Sequence, residues 1–205
     1  MDGTVSLVLS LLALAVSATT AWLTLLRRAT VKMTQPTTIY FGPDSSRSGN
    51  EVRSKVYLRT LLYATAKRGC IIESMFVRLS RGESTQAFNV WVYGDDRLKR
   101  GSGLFIPESG ITTNHHFLLP FDESEYVFPP GDYRLSVFVS VVGERATRLL
   151  GSFHLSVTPT EAEALAKPEH GLYFDWSPDA TDYRAHVRVL GRDQETPNML
   201  RELFA

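Results

Sequence analysis

Two adjacent histidines in TTNHHFLLP, His115 and His116, are the residues of this 205-residue chain whose type best suits acid–base or metal chemistry. A metal needs ligands that converge on one point. The flanking residues alternate apolar and polar as in a strand, and neighbouring strand residues point to opposite faces, so the pair cannot readily hold one ion together. His115 falls in with Ile111, Phe117 and Leu119 and is expected to be packed and hydrogen-bonded. His116 falls in with Thr112 and Asn114 and is expected to be exposed. His154, His170 and His186 show no HxH, HxxxH or HExxH spacing. A hydrolase-type reading would have to join His115 or His154 to Asp175 or Asp179.

Nucleophile and phosphate motifs are missing. There is no GxSxG, no P-loop and no GxGxxG. Arg97, Lys99 and Arg100 flank Gly101 and Gly103, and three cations beside free amides can hold an anion such as phosphate. Asp95 and Asp96 in the same stretch equally make it a charge-balanced, solvated turn. YFDWSPD places Tyr173, Phe174 and Trp176 beside Asp175 and Asp179. Such a segment either covers an open edge of the fold or forms a patch that binds a partner. With no catalytic set visible, the sequence predicts a binding protein rather than an enzyme, without cofactor or metal.

The elements that must position these residues are strands. In GDYRLSVFVSVVG, Tyr133, Leu135, Val137, Val139 and Val141 share one face, while Arg134, Ser136, Phe138 and Ser140 share the other. Leu149, Gly151, Phe153, Leu155 and Val157 alternate in the same way with polar neighbours. Residues 56–65, 71–79, 87–94 and 111–119 behave similarly, and 38–41 and 126–128 are shorter candidates. The joints AKRG, SRGES, GDDRLKRGSG, FPPGD and VGERA carry the Gly or Pro of turns. Short strands with one apolar face each imply two antiparallel sheets packed together, with a jelly roll or small barrel as the alternative. Two stretches, YVFPPGDYRLSVFV and VYLRTLLYATAKRGCIIESMFVRL, resemble bacterial immunoglobulin-like modules. The first is similar to their PGxYxLxV strand entry, and the second to a hairpin in which a Gly-containing loop joins two long strands. The resemblance covers about half of the domain and implies an immunoglobulin-like β-sandwich; such modules serve many roles, so it implies no activity.

No Asp, Glu, Lys or Arg lies between Asp2 and Arg27. As a helix, Gly3 to Leu26 would measure about 36 Å, enough to cross a hydrocarbon core of about 30 Å. A cleaved signal peptide would need a basic start and a shorter apolar run, whereas this chain begins Met-Asp-Gly and stays apolar beyond Ala21. The expectation is therefore an anchor. Arg27, Arg28 and Lys32 just after it place the N-terminus outside and the body in the cytoplasm, at the inner membrane of a cell. Cys70 is the single cysteine, so no intrachain disulfide can form. Ser6, Ser10, Ala13, Ser17, Thr20 and Thr24 recur at a mean spacing of about 3.5, one stripe of small residues along which helices can approach closely. That stripe reads either as an association face or as tolerated small residues.

The expected organisation is an anchor (1–28), a juxtamembrane segment with a first short strand (29–54) and a sandwich core (55–158). A short helix with an aromatic and acidic segment (159–190) follows, and then a mobile tail (191–205). Thr160 to Glu163 fits a capping box for that helix, which should end before Pro168. The 22 basic and 22 acidic residues cancel, so no basic footprint for nucleic acid is present. The sequence thus predicts a membrane-anchored interaction, scaffold or regulatory module whose partners are the membrane and a protein or a second copy. The alternative is an oligomerising membrane effector or sensor of a stress or defence system.

Overall fold

The computed structural model describes residues 2–44, 54–94, 99–120 and 126–190. The first element is α1 (Asp2–Ala21), followed by one π-turn, Trp22–Leu26. The strands that follow are β1 (Val31–Met33), β2 (Thr38–Pro43), β3 (Ser54–Ala64), β4 (Cys70–Arg81) and β5 (Ser84–Phe88). Then come β6 (Val90–Tyr93), β7 (Lys99–Arg100), β8 (Leu104–Ile106), β9 (Ile111–Leu118), β10 (Gly131–Val141) and β11 (Arg148–Val157). A short helix, α2 (Pro159–Leu165), precedes a terminal hairpin of β12 (His170–Ser177) and β13 (Asp182–Val189).

Gly3–Thr24 is long and apolar enough to cross a membrane, with a mean hydropathy of 1.9. Its residues from Gly3 to Leu23 are exposed, so none of the described residues covers its apolar surface.

The strands form two antiparallel sheets. The larger has eight strands in the order β13-β12-β2-β3-β9-β6-β7, with β1 also paired to β3. The smaller has five, β11-β10-β4-β5, with β8 also paired to β4. One apolar cluster lies between them. Ile39, Phe41, Val56, Leu58, Leu62, Phe117, Leu172 and Phe174 enter it from the larger sheet. Ile72, Met75, Val77, Leu79, Tyr133, Leu135, Val137 and Val139 enter it from the smaller one. Each such side chain stabilises the fold by about 1.5–3 kcal/mol through its removal from water.

Four local expectations are corrected. Residues 56–79 are not a hairpin: β3 pairs in the larger sheet and β4 in the smaller. The turn between them carries the chain across the core, so both strands bury the same cluster from opposite sides. Its Gly69 takes φ +68 and lies under the Phe105 ring, where a Cβ would clash. Residues 87–94 are two strands, because the chain leaves the smaller sheet after Phe88 and enters the larger at Val90. In β11 a bulge opposite Val137 and Phe138 makes Leu150 the extra residue. The alternation is therefore reset, and Leu149 is turned out to 53 % exposure while Leu150 packs against the core. Residues 126–128 are not a strand, yet Phe128 stacks on Phe41 with ring centres 4.9 Å apart.

The short helix is present, but its cap is Thr158 rather than Thr160. The Thr158 hydroxyl accepts from the Glu161 N–H, and the Glu161 carboxylate accepts from the Thr158 N–H at 2.7 Å. Pro159 fits the first helical position because its missing N–H would have no partner there. The expected tail, 191–205, lies outside the described residues.

Tyr133 opens β10 and turns its hydroxyl back to donate to the Pro129 carbonyl, closing the corner that leads into the strand. Burial raises its phenol pKa, so the group stays a neutral donor. Tyr133→Phe should lower stability by about 1 kcal/mol, and Tyr133→Ala by about 3–5 kcal/mol. Urea denaturation of the solubilised chain, followed by Trp fluorescence, measures both.

Candidate functional site

Among the described residues, the histidines and carboxylates singled out from sequence do not converge on one centre. His115 points into the core and is fully buried. Its Nδ1 accepts from the Trp91 indole N–H at 3.1 Å, which leaves the ring proton on Nε2, and Nε2 has no partner. His154 lies on the exposed face of the smaller sheet opposite Arg134. Asp175 lies on the outer face of the larger sheet, and Asp179 is exposed in the β12–β13 turn. The hydrolase-type pairs are thus kept apart: His154 is on the other sheet from Asp175, and His115 is on the inner face of the sheet whose outer face carries Asp175. Among the described residues no three His, Cys, Asp or Glu side chains gather as metal ligands.

The aromatic segment is divided by strand alternation. Phe174 is in the core, and Trp176 meets Tyr183 with ring centres 5.1 Å apart. Tyr183 in turn packs against the core and donates to the Pro36 carbonyl at 2.9 Å. Tyr173 and Asp175 point the other way. Arg97 lies outside the described residues, while Lys99 and Arg100 are exposed on β7 at the far edge of the larger sheet. The Gly101 N–H is taken by the Trp91 carbonyl at 2.9 Å and is not offered to an anion. Along α1, Ser10, Thr20 and Thr24 donate to the carbonyls of Ser6, Val16 and Thr20, so these hydroxyls are satisfied within the helix. Close packing there would rest on small size alone.

What the fold does assemble is a row across the outer face of the larger sheet. In strict register, Arg100 on β7 faces Val92, Val92 faces His116, and His116 faces Tyr57. Tyr57 faces Tyr40, Tyr40 faces Tyr173, and Tyr173 faces His186. His116, Tyr57, Tyr40 and Tyr173 stand on the outer face because their chain neighbours are buried inside, as with Ile39 and Phe41 around Tyr40. The rings touch: His116–Tyr57 at 4.8 Å, Tyr40–Tyr173 at 4.9 Å and Tyr173–His186 at 5.7 Å between centres. The Arg188 guanidinium lies 5.2 Å over Tyr173, and Lys55 Nζ lies 5.6 Å from the centre of Tyr40.

Tyr40 anchors the row. It lies over Gly42 and Gly171, where any Cβ would strike its ring or hydroxyl, and it donates to the Pro43 carbonyl at 2.9 Å. Beside it Lys55 Nζ meets Asp44 Oδ1 at 3.0 Å, with side chains 9 % and 3 % exposed. A pair so buried costs about 3–5 kcal/mol to break from one side. Burial, then Tyr173 and Asp44, raise the Tyr40 pKa, so the phenol remains protonated. Burial and the Lys55 cation push His116 down to about 4, so its imidazole is neutral at pH 7. The ring is half-buried rather than exposed, because Tyr57 covers it. At the far end the Asp175 carboxylate accepts from Thr38 at 2.9 Å and faces His186 Nδ1 at 3.6 Å, while Arg188 donates to His186 Nε2 at 3.1 Å. His116, Tyr57 and Tyr173 are left half-exposed, a flat strip of rings rather than a cleft.

Of this row, sequence alone singled out His116, Tyr173, Asp175 and Arg100. Tyr40, Tyr57, His186, Arg188 and the Lys55–Asp44 pair went unmarked. Their only signal was position on the outward face of alternating strands. Comparison of the chain with protein families, curated proteins and solved structures gives no match.

Gly171→Ala should destabilise the body by about 1–3 kcal/mol through overpacking against Tyr40. In a Tyr40→Ala background the same substitution should cost close to nothing, a coupling of about 1–2 kcal/mol in a double-mutant cycle. A second expectation concerns pH. Burial, then His116, push His115 down to about 3, whereas unfolding restores the ordinary value near 6.5. The stability held by the neutral imidazole is complete above about pH 6.5 and falls as the pH drops towards 3, because only the unfolded chain takes up the proton. Urea midpoints should therefore decline between pH 7 and pH 5, and His115→Gln should flatten the slope by about 1 kcal/mol per pH unit.

Proposed function

We propose that this protein is a single-pass, membrane-tethered interaction module whose outer sheet face receives a protein partner. Its N-terminus is outside and its immunoglobulin-like body cytoplasmic in this reading. The apolar α1 with Arg27, Arg28 and Lys32 after it supports the topology. The immunoglobulin-like assignment is supported by the strand pairing. With β2, β3, β9 and β6 as A, B, E and D, and β11, β10 and β4 as G, F and C, both sheets follow that order, and Tyr133 supplies a tyrosine corner at the start of F. The β12–β13 hairpin then extends the sheet beyond A.

One observation carries the functional reading: the in-register strip of half-exposed Tyr and His with Arg188 beside it. Tyr and Arg are the side chains enriched where partners bind tightly, and the buried Tyr40 and Lys55–Asp44 beneath hold them rigid, so little entropy is lost on binding. The test is affinity purification of the full chain from its native membrane with quantitative mass spectrometry. A partner held by the strip should be recovered with the unmodified chain and with Arg134→Glu, which lies on the other sheet. Tyr173→Ala combined with Arg188→Glu should reduce its recovery about tenfold or more, the effect of losing one strong contact. Equal recovery with all three would refute the strip as the binding surface.

A further inference from the structure

The body's own large apolar side chains left exposed, among the described residues, are Ile71, Phe105, Val127, Val142 and Leu149. Three of them meet at one pole. Ile71 and Phe105 are cross-strand partners, and the Val142 N–H donates to the Ile71 carbonyl at 2.9 Å. They are 45 %, 54 % and 56 % exposed, so three adjacent apolar side chains project into solvent together. Phe105 cannot fold back, because its ring already lies over Gly69.

This is the pole at which α1 ends. The π-turn stops at Leu26, and Thr30 is already fixed to the body: its N–H and hydroxyl bond the Thr65 hydroxyl at 3.0 Å, and the Thr65 N–H donates to the Thr30 carbonyl at 3.0 Å. Only residues 27–30 connect the two, a reach of about 14 Å when fully extended. The interfacial layer on each side of the hydrocarbon core is about 5–8 Å thick. A body on so short a tether cannot stand away from the bilayer. The open groove at this pole runs from Arg28–Thr30 to Arg68, Phe105 and Val142.

Charge at this pole is mostly of one sign. Arg28, Arg68 and Arg145 line the groove with the apolar trio, and Arg27 and Lys67 adjoin two of them in the chain. Of the nearby carboxylates, Glu144 is held by both its oxygens to Arg148 at 2.8 and 2.9 Å, Glu108 sits on the neighbouring turn, and Glu73 is exposed two residues beyond Ile71 on β4. Apolar side chains ringed by Lys and Arg match the interface of a bilayer containing anionic lipid, where rings and aliphatic tips sit among the headgroups and cations meet phosphates.

We infer that Ile71, Phe105 and Val142, with Lys67, Arg68 and Arg145, dock the body on the anionic bilayer in which α1 is anchored. This inference rests on α1 being a membrane anchor, and it adds that the body has one fixed face towards the lipid. Docking covers the exposed trio and sets the strands running away from the membrane.

The test uses the full chain with Cys70→Ser, reconstituted in vesicles of phosphatidylcholine with or without phosphatidylglycerol. An environment-sensitive fluorophore is placed at Phe105→Cys, or at Val127→Cys as a control at the opposite pole. The label at 105 should shift to the blue and be quenched by spin-labelled lipid, more so with phosphatidylglycerol, and the label at 127 should not. Lys67→Glu, Arg68→Glu and Arg145→Glu together should abolish the response at 105. A label at 105 that behaves like the one at 127, in a chain that resists alkaline carbonate extraction, overturns the docking and leaves the anchor intact. A chain that carbonate removes from the vesicles overturns both.

Discussion

A single apolar layer between two sheets governs the rest of this molecule. Each long strand commits every second side chain to that layer, and the remaining half must then face outward. On the smaller sheet the outward residues include Ser136, Ser152 and Ser156 together with a stacked Phe76–Phe138 pair beneath Arg78. On the larger sheet they include Tyr57, Tyr40, Tyr173 and His116, and strand register sets them side by side. Neither the strip nor its order is encoded locally. Both follow from which inner faces fit together, because a slip of one residue in β2 would send Tyr40 into the core and Phe41 out.

How much of this was legible in sequence depends on where each residue finds its partners. The alternation in Gly131–Val141 and in 111–119 is local, and so the inward position of Tyr133, Val137 and His115 could be read directly. The π-turn aside, the apolar helix was equally plain, since hydropathy over a long run needs no tertiary information. The division of 87–94 at Asn89 could not be read, because an alternating run gives no sign of which sheet each half joins. Leu149 failed for a related reason: a bulge resets the period, and only the pairing of Val137 with Gly151 shows it. The strands of His170–Val189 were not read as strands because Tyr173 and Phe174 are adjacent aromatics, which hides the alternation that puts Phe174 in the core and Tyr173 on the outer face.

The cap of α2 teaches a smaller lesson of the same kind. Thr158 and Thr160 each stand three residues before a Glu, so the motif alone permits two registers. Pro159 decides between them. Its ring is acceptable at the first helical position and has no N–H to waste, which makes Thr158 the residue that must cap.

The site and the tether are also linked through geometry. The strands of the larger sheet run from the pole at Thr30 and Thr65 to the pole at Pro43 and Ser54. If the first pole rests on lipid, the strip crosses β3 and β9 in the half farther from the bilayer and faces sideways. It is then neither pressed into the headgroups nor carried to the far tip. A ligand approaching from bulk solvent would meet it no better than any other lateral surface. A second membrane-tethered protein would meet it at matching height, and confinement of both to one plane raises their effective concentration. In the proposed reading, with α1 in the bilayer, confinement of both partners to one plane is what lets a shallow face suffice.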